Sequence, residues 1–190
     1  MVLAAMLPAL AYSKNNTDME NGKTLVVFFS RTGENYAVGN IEKGNTQILA
    51  EMIAEETGGK IFQIVPQTAY PAGYSECVEV AKREAESKAR PAIVGDIAVE
   101  DYNIIYIGYP NWWGDMPMAV YTFIEKHDWH GKTVVPFCTH EGSGLSDTES
   151  RLEKACAGAT VLKGLAVRGA TAQKSQDQAR KAVNSWLERR

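Results

Sequence analysis

The chain has 190 residues, 45% hydrophobic and 23% charged, enough apolar material for one well-packed core but not for a second full domain. Its formal charge of −3 argues against a surface for nucleic acid or anionic membrane, since either needs clustered Lys and Arg to replace counterions. Cys77, Cys138 and Cys156 are far apart and form no CxxC, so neither a zinc site nor a dithiol motif is indicated, and at most one disulfide can form.

The segment Met1 to Tyr12 (MVLAAMLPALAY) is apolar and gives way abruptly to the polar run Ser13 to Lys23. Val2 to Leu10 is too short to span a bilayer but long enough for a signal-peptide core, and Ala9-Leu10-Ala11 has the small-x-small shape of a cleavage site. The basic start of such a peptide is missing. Residues 1–23 are therefore expected to be a leader with a truncated or misassigned start plus a linker, with the fold at 24–190. An exported or periplasmic protein follows from that reading, and a cytoplasmic one if the segment is only a frayed extension.

From Thr24 onward, short β-branched runs alternate with amphipathic stretches, as in repeated βα units that cover both faces of a parallel sheet. The predicted strands are Thr24 to Ser30, Lys60 to Val65, Ile104 to Tyr109, Thr133 to Cys138 and Thr160 to Val167. The predicted helices are Thr46 to Thr57, Tyr74 to Lys88, Met116 to Lys126, Asp147 to Cys156 and Ser175 to Arg189. Gly58-Gly59 should stop the first helix, Asp147 should cap the fourth, and Ser175 with Gln178 should form a capping pair for the last. Ala89 to Glu100 reads as a loop with no more than a short turn. Right-handed βαβ units of this kind build a doubly wound α/β sheet, whose ligands bind beyond the carboxyl ends of the strands at the topological switch point.

Three connections at that edge carry chemistry. After the first strand, Ser30-Arg31-Thr32-Gly33-Glu34-Asn35 and an excursion from Tyr36 to Lys43 lead to Gly44-Asn45-Thr46 at a helix start. Backbone N–H groups and the hydroxyls of Ser30, Thr32 and Thr46 can hold a phosphate there, with the helix dipole behind them. GxxxxGK[ST] and GxGxxG are both absent, which disfavours a triphosphate with magnesium. After the third strand, Pro110-Asn111-Trp112-Trp113-Gly114 supplies an indole, Trp112 or Trp113, to stack on a flat conjugated ring, while Pro110, Asn111 and Gly114 let backbone approach its edge. After the fourth strand comes Thr139-His140-Glu141-Gly142-Ser143-Gly144.

SRTG followed by GNT at a helix start resembles the FMN-phosphate loop of flavodoxins, and the insertion of Glu34 to Lys43 is similar to a bacterial flavodoxin-like subgroup. The resemblance covers Thr24 to Arg190 and implies a five-stranded parallel sheet of order 2-1-3-4-5 with helices on both faces. It implies bound FMN: phosphate at Ser30, Arg31, Thr32, Gly33, Asn45 and Thr46, the ring at Pro110, Asn111, Trp112, Trp113 and Gly114, and its edge at Thr139, His140, Gly142, Ser143 and Gly144. Glu141 and Asp115 are expected to disfavour the anionic reduced ring, and His140 or Arg31 to favour it. The expected role is electron transfer with a redox partner protein; the alternative is an FMN-dependent NAD(P)H:quinone-type oxidoreductase on the same fold. His127-Asp128-Trp129-His130 lacks a third metal ligand, Gly142-Ser143-Gly144 does not match GxSxG, and Phe29-Ser30-Arg31 lacks the acidic residues of a response-regulator receiver.

Overall fold

The computed structural model describes residues 23–190; apart from Lys23, the expected leader lies outside the described residues. The first strand, β1 (Thr24–Phe28), is followed by a hairpin of β2 (Gly33–Asn35) and β3 (Gly39–Ile41), then by α1 (Asn45–Thr57) and β4 (Lys60–Gln63). Short β5 (Val65–Pro66) precedes α2 (Tyr74–Ser87) and pairs antiparallel with β6 (Ile93–Val94). A 3-10 turn at Val99–Asp101 leads to β7 (Ile104–Pro110), α3 (Met118–Ile124), β8 (Thr133–His140) and α4 (Thr148–Ala155). The chain ends in β9 (Thr160–Val161), β10 (Leu165–Arg168), α5 (Gly169–Lys174) and α6 (Gln176–Leu187).

The main sheet runs β4-β1-β7-β8-β10 with all pairings parallel, and β9 lies beside the start of β8. This is the expected order 2-1-3-4-5, with the fifth strand in two pieces. The central strands β1, β7 and β8 lack polar alternation because both faces are buried, whereas the edge strand β4 is largely exposed. Leu25, Val27 and Phe29 join Ile105, Ile107, Phe123 and Leu152 under α3 and α4, whereas Val26 and Phe28 join Ile48, Leu49, Ile53, Val183 and Trp186 under α1 and α6. Among the described residues, no helix is long and apolar enough to cross a membrane.

Several boundaries differ from expectation for identifiable reasons. The fifth strand breaks because the Lys163 carbonyl leaves the ladder to accept from Trp186 Nε1 at 3.1 Å and Arg190 Nη2 at 2.8 Å. The third helix starts at Met118, after Pro117, because Asp115 Oδ1 already binds the Met116 N–H at 2.7 Å in the preceding loop. Asp147 and Ser175 occupy N-cap positions, but neither makes a side-chain cap bond; the Ser175 carbonyl accepts from Gln178 N–H at 2.9 Å instead. Gly58 ends α1 in a left-handed conformation, φ 66°, as expected. The inserted segment forms the β2–β3 hairpin, and Ala89 to Glu100 contributes β6 as well as a turn.

Gly108, opposite Phe137 in the β7–β8 register, has no room for a side chain, since a Cβ would lie 2.1 Å from the Phe137 ring. Gly108→Ala should lower unfolding stability by about 2–3 kcal/mol, read as a fall in denaturant midpoint at unchanged slope. Adding Phe137→Leu should recover part of that loss, because the two side chains compete for one space.

Candidate functional site

The carboxyl ends of β1, β7 and β8 are adjacent, and three loops rise from them. At the exit of β1 the chain passes Ser30 and Arg31, makes the hairpin, and returns at Gly44 to begin α1. The return is tight: a Cβ on Gly44 would lie 2.1 Å from Ser30 Oγ and 2.6 Å from the Arg31 carbonyl. Ser30 Oγ accepts the Gln47 N–H at 3.1 Å and so caps the first turn of α1. The two amides before it, on Asn45 and Thr46, have no intrahelical acceptor by the geometry of a helix start. Thr46 is buried and its Oγ1 lies 2.7 Å from Thr139 Oγ1, tying α1 to the end of β8. Asn45 Oδ1 accepts from Gln173 Nε2 at 2.9 Å, which brings α5 against the same helix start.

The second loop is a tight reversal in which Trp112 and Asp115 exchange backbone hydrogen bonds of 2.9 and 3.0 Å. Its two central residues, Trp113 (φ 56°) and Gly114 (φ 77°), are both left-handed, as in a type I′ turn. Glycine adopts this freely, whereas a bulky L-residue pays about 1–2 kcal/mol. Asn111 fixes the turn by accepting Gly114 N–H on Oδ1 at 3.0 Å and donating from Nδ2 to the Gly144 carbonyl and Ser146 Oγ, both at 2.9 Å. The two indoles diverge. Trp112 is half-buried, edge-on to Phe29 and Tyr70 with centroids at 5.3 and 5.1 Å. Trp113 is 58% exposed, with Lys82 Nζ 5.7 Å over its ring.

In the third loop, His140 Nδ1 accepts the Gly142 N–H at 2.8 Å, which selects the tautomer protonated on Nε2. Partial burial and the neighbouring Arg168 push its pKa below the ordinary value, against a smaller upward pull from Glu141. Glu141 turns inward, accepting the Ala170 N–H at 2.6 Å with Arg168 at 4.0 Å. Asp115 is held by Arg151 at 3.0 Å and by the Tyr121 hydroxyl at 2.8 Å, so it faces away from the cleft.

These loops enclose a pocket of about 340 Å³. Of the expected residues, Arg31, Asn45, Pro110, Asn111, Trp112, Trp113, Thr139, His140 and Glu141 line it. Ser30 and Thr46 stand behind its wall through the bonds given above. Gly33 packs on Ala72, Gly114 and Gly144 take part in the turn contacts, and Thr32, Gly142 and Ser143 are exposed. Sequence reasoning missed the opposite wall: Tyr36 from the hairpin, and Tyr74, Cys77, Val78 and Ala81 from α2. The only linear signal was the i, i+3, i+4, i+7 run of Tyr74, Cys77, Val78 and Ala81, which marks one helix face without saying what it faces. Cys77, Cys138 and Cys156 are all free and buried, and burial pushes the Cys138 and Cys156 thiols up to about 12. His127 lies against Asp96 Oδ1 at 3.0 Å and His130 against Asp128, and among the described residues no three side chains group as metal ligands.

A family model described as Flavodoxin matches residues 23–189. A Bacteroides uniformis protein assigned as a flavoprotein is 33% identical, with TM-score 0.68 over 88% of this chain and 98% of its own. A Bacteroides eggerthii protein assigned likewise is 30% identical, with TM-score 0.70 over 88% and 97%. A Lactobacillus acidophilus flavoprotein solved in complex with FMN shares the fold at 21% identity, TM-score 0.60, over 82% of this chain and 99% of its own. No curated protein matches the chain. With a family model spanning the whole described fold and relatives this similar along their full length, the chain belongs to the flavodoxin family.

Proposed function

We propose that this protein binds FMN non-covalently in the pocket between the three loops and serves as an electron carrier. The observation that carries the reading is Trp113, a bulky residue held in a left-handed turn and left 58% exposed at the mouth of the pocket. In return for that strain the fold gains only a long 3.4 Å bond from Trp113 Nε1 to the Val78 carbonyl and the Lys82 contact, whereas a flat ligand covering the indole would bury a large area. The far end of the pocket supports the other half of the reading. A dianionic phosphate suits the unpaired amides of Asn45 and Thr46 at the positive end of α1, with no lysine needed.

FMN, when bound, supplies reversible one- and two-electron chemistry. The protein's part is to hold the headgroup at α1, to present Trp113 to the ring, and to exclude water with Pro110, Asn111 and the tyrosine wall. His140, kept neutral, offers an Nε2–H donor to the edge of a ligand rather than a positive charge. Of the titratable groups on the pocket wall, His140 Nδ1 already accepts the Gly142 N–H, Glu141 accepts the Ala170 N–H, and burial pushes the Cys77 thiol up, which favours the carrier over an oxidoreductase.

Purified protein mixed with FMN should show flavin absorption bands displaced from those of free FMN and should retain them through gel filtration. The loaded protein should not oxidise NAD(P)H with a quinone acceptor until a partner reductase is added; turnover without one would favour the oxidoreductase. Trp113→Asn places the preferred Asn-Gly pair in the turn. FMN affinity should then fall by about tenfold or more, with unfolding stability kept within about 1 kcal/mol, because lost burial and relieved strain oppose each other.

His140 also predicts a pH effect. Its folded pKa is depressed, so its contribution to stability is present above the unfolded value, near 6.5, and is lost as the pH falls through the folded value. Between pH 7 and 5 the wild-type protein should lose more stability than His140→Gln, whose side-chain oxygen can still accept the Gly142 N–H without titrating.

A further inference from the structure

We propose that Arg31, together with Glu34, is a positioning residue that clamps the inserted hairpin onto the start of α2 and thereby sets the tyrosine wall of the pocket, without itself favouring an anionic ligand. The ligand half of this proposal rests on the pocket being a flavin site; the clamp itself does not.

The Arg31 guanidinium is already engaged by backbone oxygens. Nε and Nη2 donate to the Pro71 carbonyl at 3.2 and 2.7 Å, Nη2 also reaches the Ala72 and Gly73 carbonyls at 2.6 and 3.1 Å, and Nη1 donates to the Glu34 carbonyl. A planar fork of fixed donors matches this row of carbonyls; an ammonium brings the same charge and fewer donors, without that geometry. Glu34 completes the junction from the other strand. Its N–H donates to the Ala72 carbonyl at 2.9 Å, and its Oε2 accepts the Tyr74 N–H, the first amide of α2, at 2.9 Å. Gly33 allows the hairpin to lie this close, with φ 81° and a Cβ position 2.9 Å from the Ala72 oxygen.

Past this clamp the two segments place Tyr36 and Tyr74 side by side, with centroids 5.9 Å apart and rings tilted by 32°, both lining the pocket. Neither tyrosine is buried, at 63% and 38% exposure, so packing alone does not fix them. Their placement comes from the backbone junction that Arg31 and Glu34 hold. With its donors turned to carbonyls, the guanidinium borders the pocket without offering them to a phosphate.

Two measurements test the proposal, using Arg31→Lys, which keeps the charge, and Arg31→Met, which loses it. In the apoprotein, both variants should speed amide hydrogen exchange at Glu34 and Tyr74 by about tenfold, while amides within β7 stay protected and report an intact fold. Glu34→Gln should keep Tyr74 protected because an acceptor oxygen remains, and Glu34→Ala should not. In titrations, both Arg31 variants should weaken FMN and riboflavin by the same factor, since riboflavin lacks only the phosphate. Unchanged exchange in the apoprotein overturns the clamp. A selective loss of FMN in Arg31→Met, rescued in Arg31→Lys, overturns the claim about anions. If the wild-type protein takes up neither flavin, the functional reading fails while the exchange measurement still decides the clamp.

Discussion

The site depends on the close approach of Gly44 to Ser30 and Arg31. A side chain at Gly44 would overlap Ser30 Oγ, so the start of α1 can meet the end of β1 only because that position is glycine. Once they meet, Ser30 takes the third amide of the helix, Thr46 reaches Thr139 at the end of β8, and the first two amides of α1 are left without an intrahelical acceptor. The ten residues between Glu34 and Lys43 can then be inserted without moving the helix, because the ends of the excursion are already joined. Loop closure becomes only slowly more costly with length, and here the closing contact is a packed backbone junction. The hairpin is spent on a second task, building a wall that a shorter loop would not reach.

Charge around the pocket is largely satisfied within the protein itself. Arg31 is turned to carbonyls, Glu141 to the Ala170 amide and Arg168, Asp115 to Arg151, and His140 is pushed toward its neutral form. The acidic residues expected to oppose a negative ring are thus partly compensated, and the cations expected to favour it are partly consumed. What remains is a field of oriented dipoles: the α1 terminus, the backbone amides of the third loop, and an imidazole N–H. Dipoles held in place need no reorganisation when a ligand changes charge, which suits the electron-carrier role proposed above.

Much of this was legible in the linear sequence, for a physical reason. Strands buried on both faces must be continuously apolar, so TLVVF and IIYIGY identified β1 and β7, and the order of the hydroxyl, tryptophan and glycine loops identified the edge where they converge. Apart from the late start of α3 and the absent side-chain caps at Asp147 and Ser175, the failures are long-range. The break between β9 and β10 depends on Trp186 and Arg190 bonding to the Lys163 carbonyl from α6, and the α2 wall depends on a hairpin forty residues earlier in the chain. Local pattern cannot report such partners. Which tryptophan faces the pocket mouth was likewise not decidable from Trp113-Gly114, because glycine at the third turn position suits a type II turn as well as the type I′ turn found.

That turn also bears on how binding would be organised. The conformation of Trp113 is fixed from behind by the Trp112–Asp115 ladder and by Asn111, whose side chain bonds both to the turn and to the third loop. The strain is therefore carried by the apoprotein, before any ligand arrives, and the indole need not be ordered on binding. Ordering a free side chain costs a ligand part of its affinity, so an indole already held in place would spare the proposed flavin that cost. Asn111 links the Trp113 turn to the Gly144 carbonyl and the Ser146 hydroxyl of the next loop, so one amide side chain braces the two loops against each other.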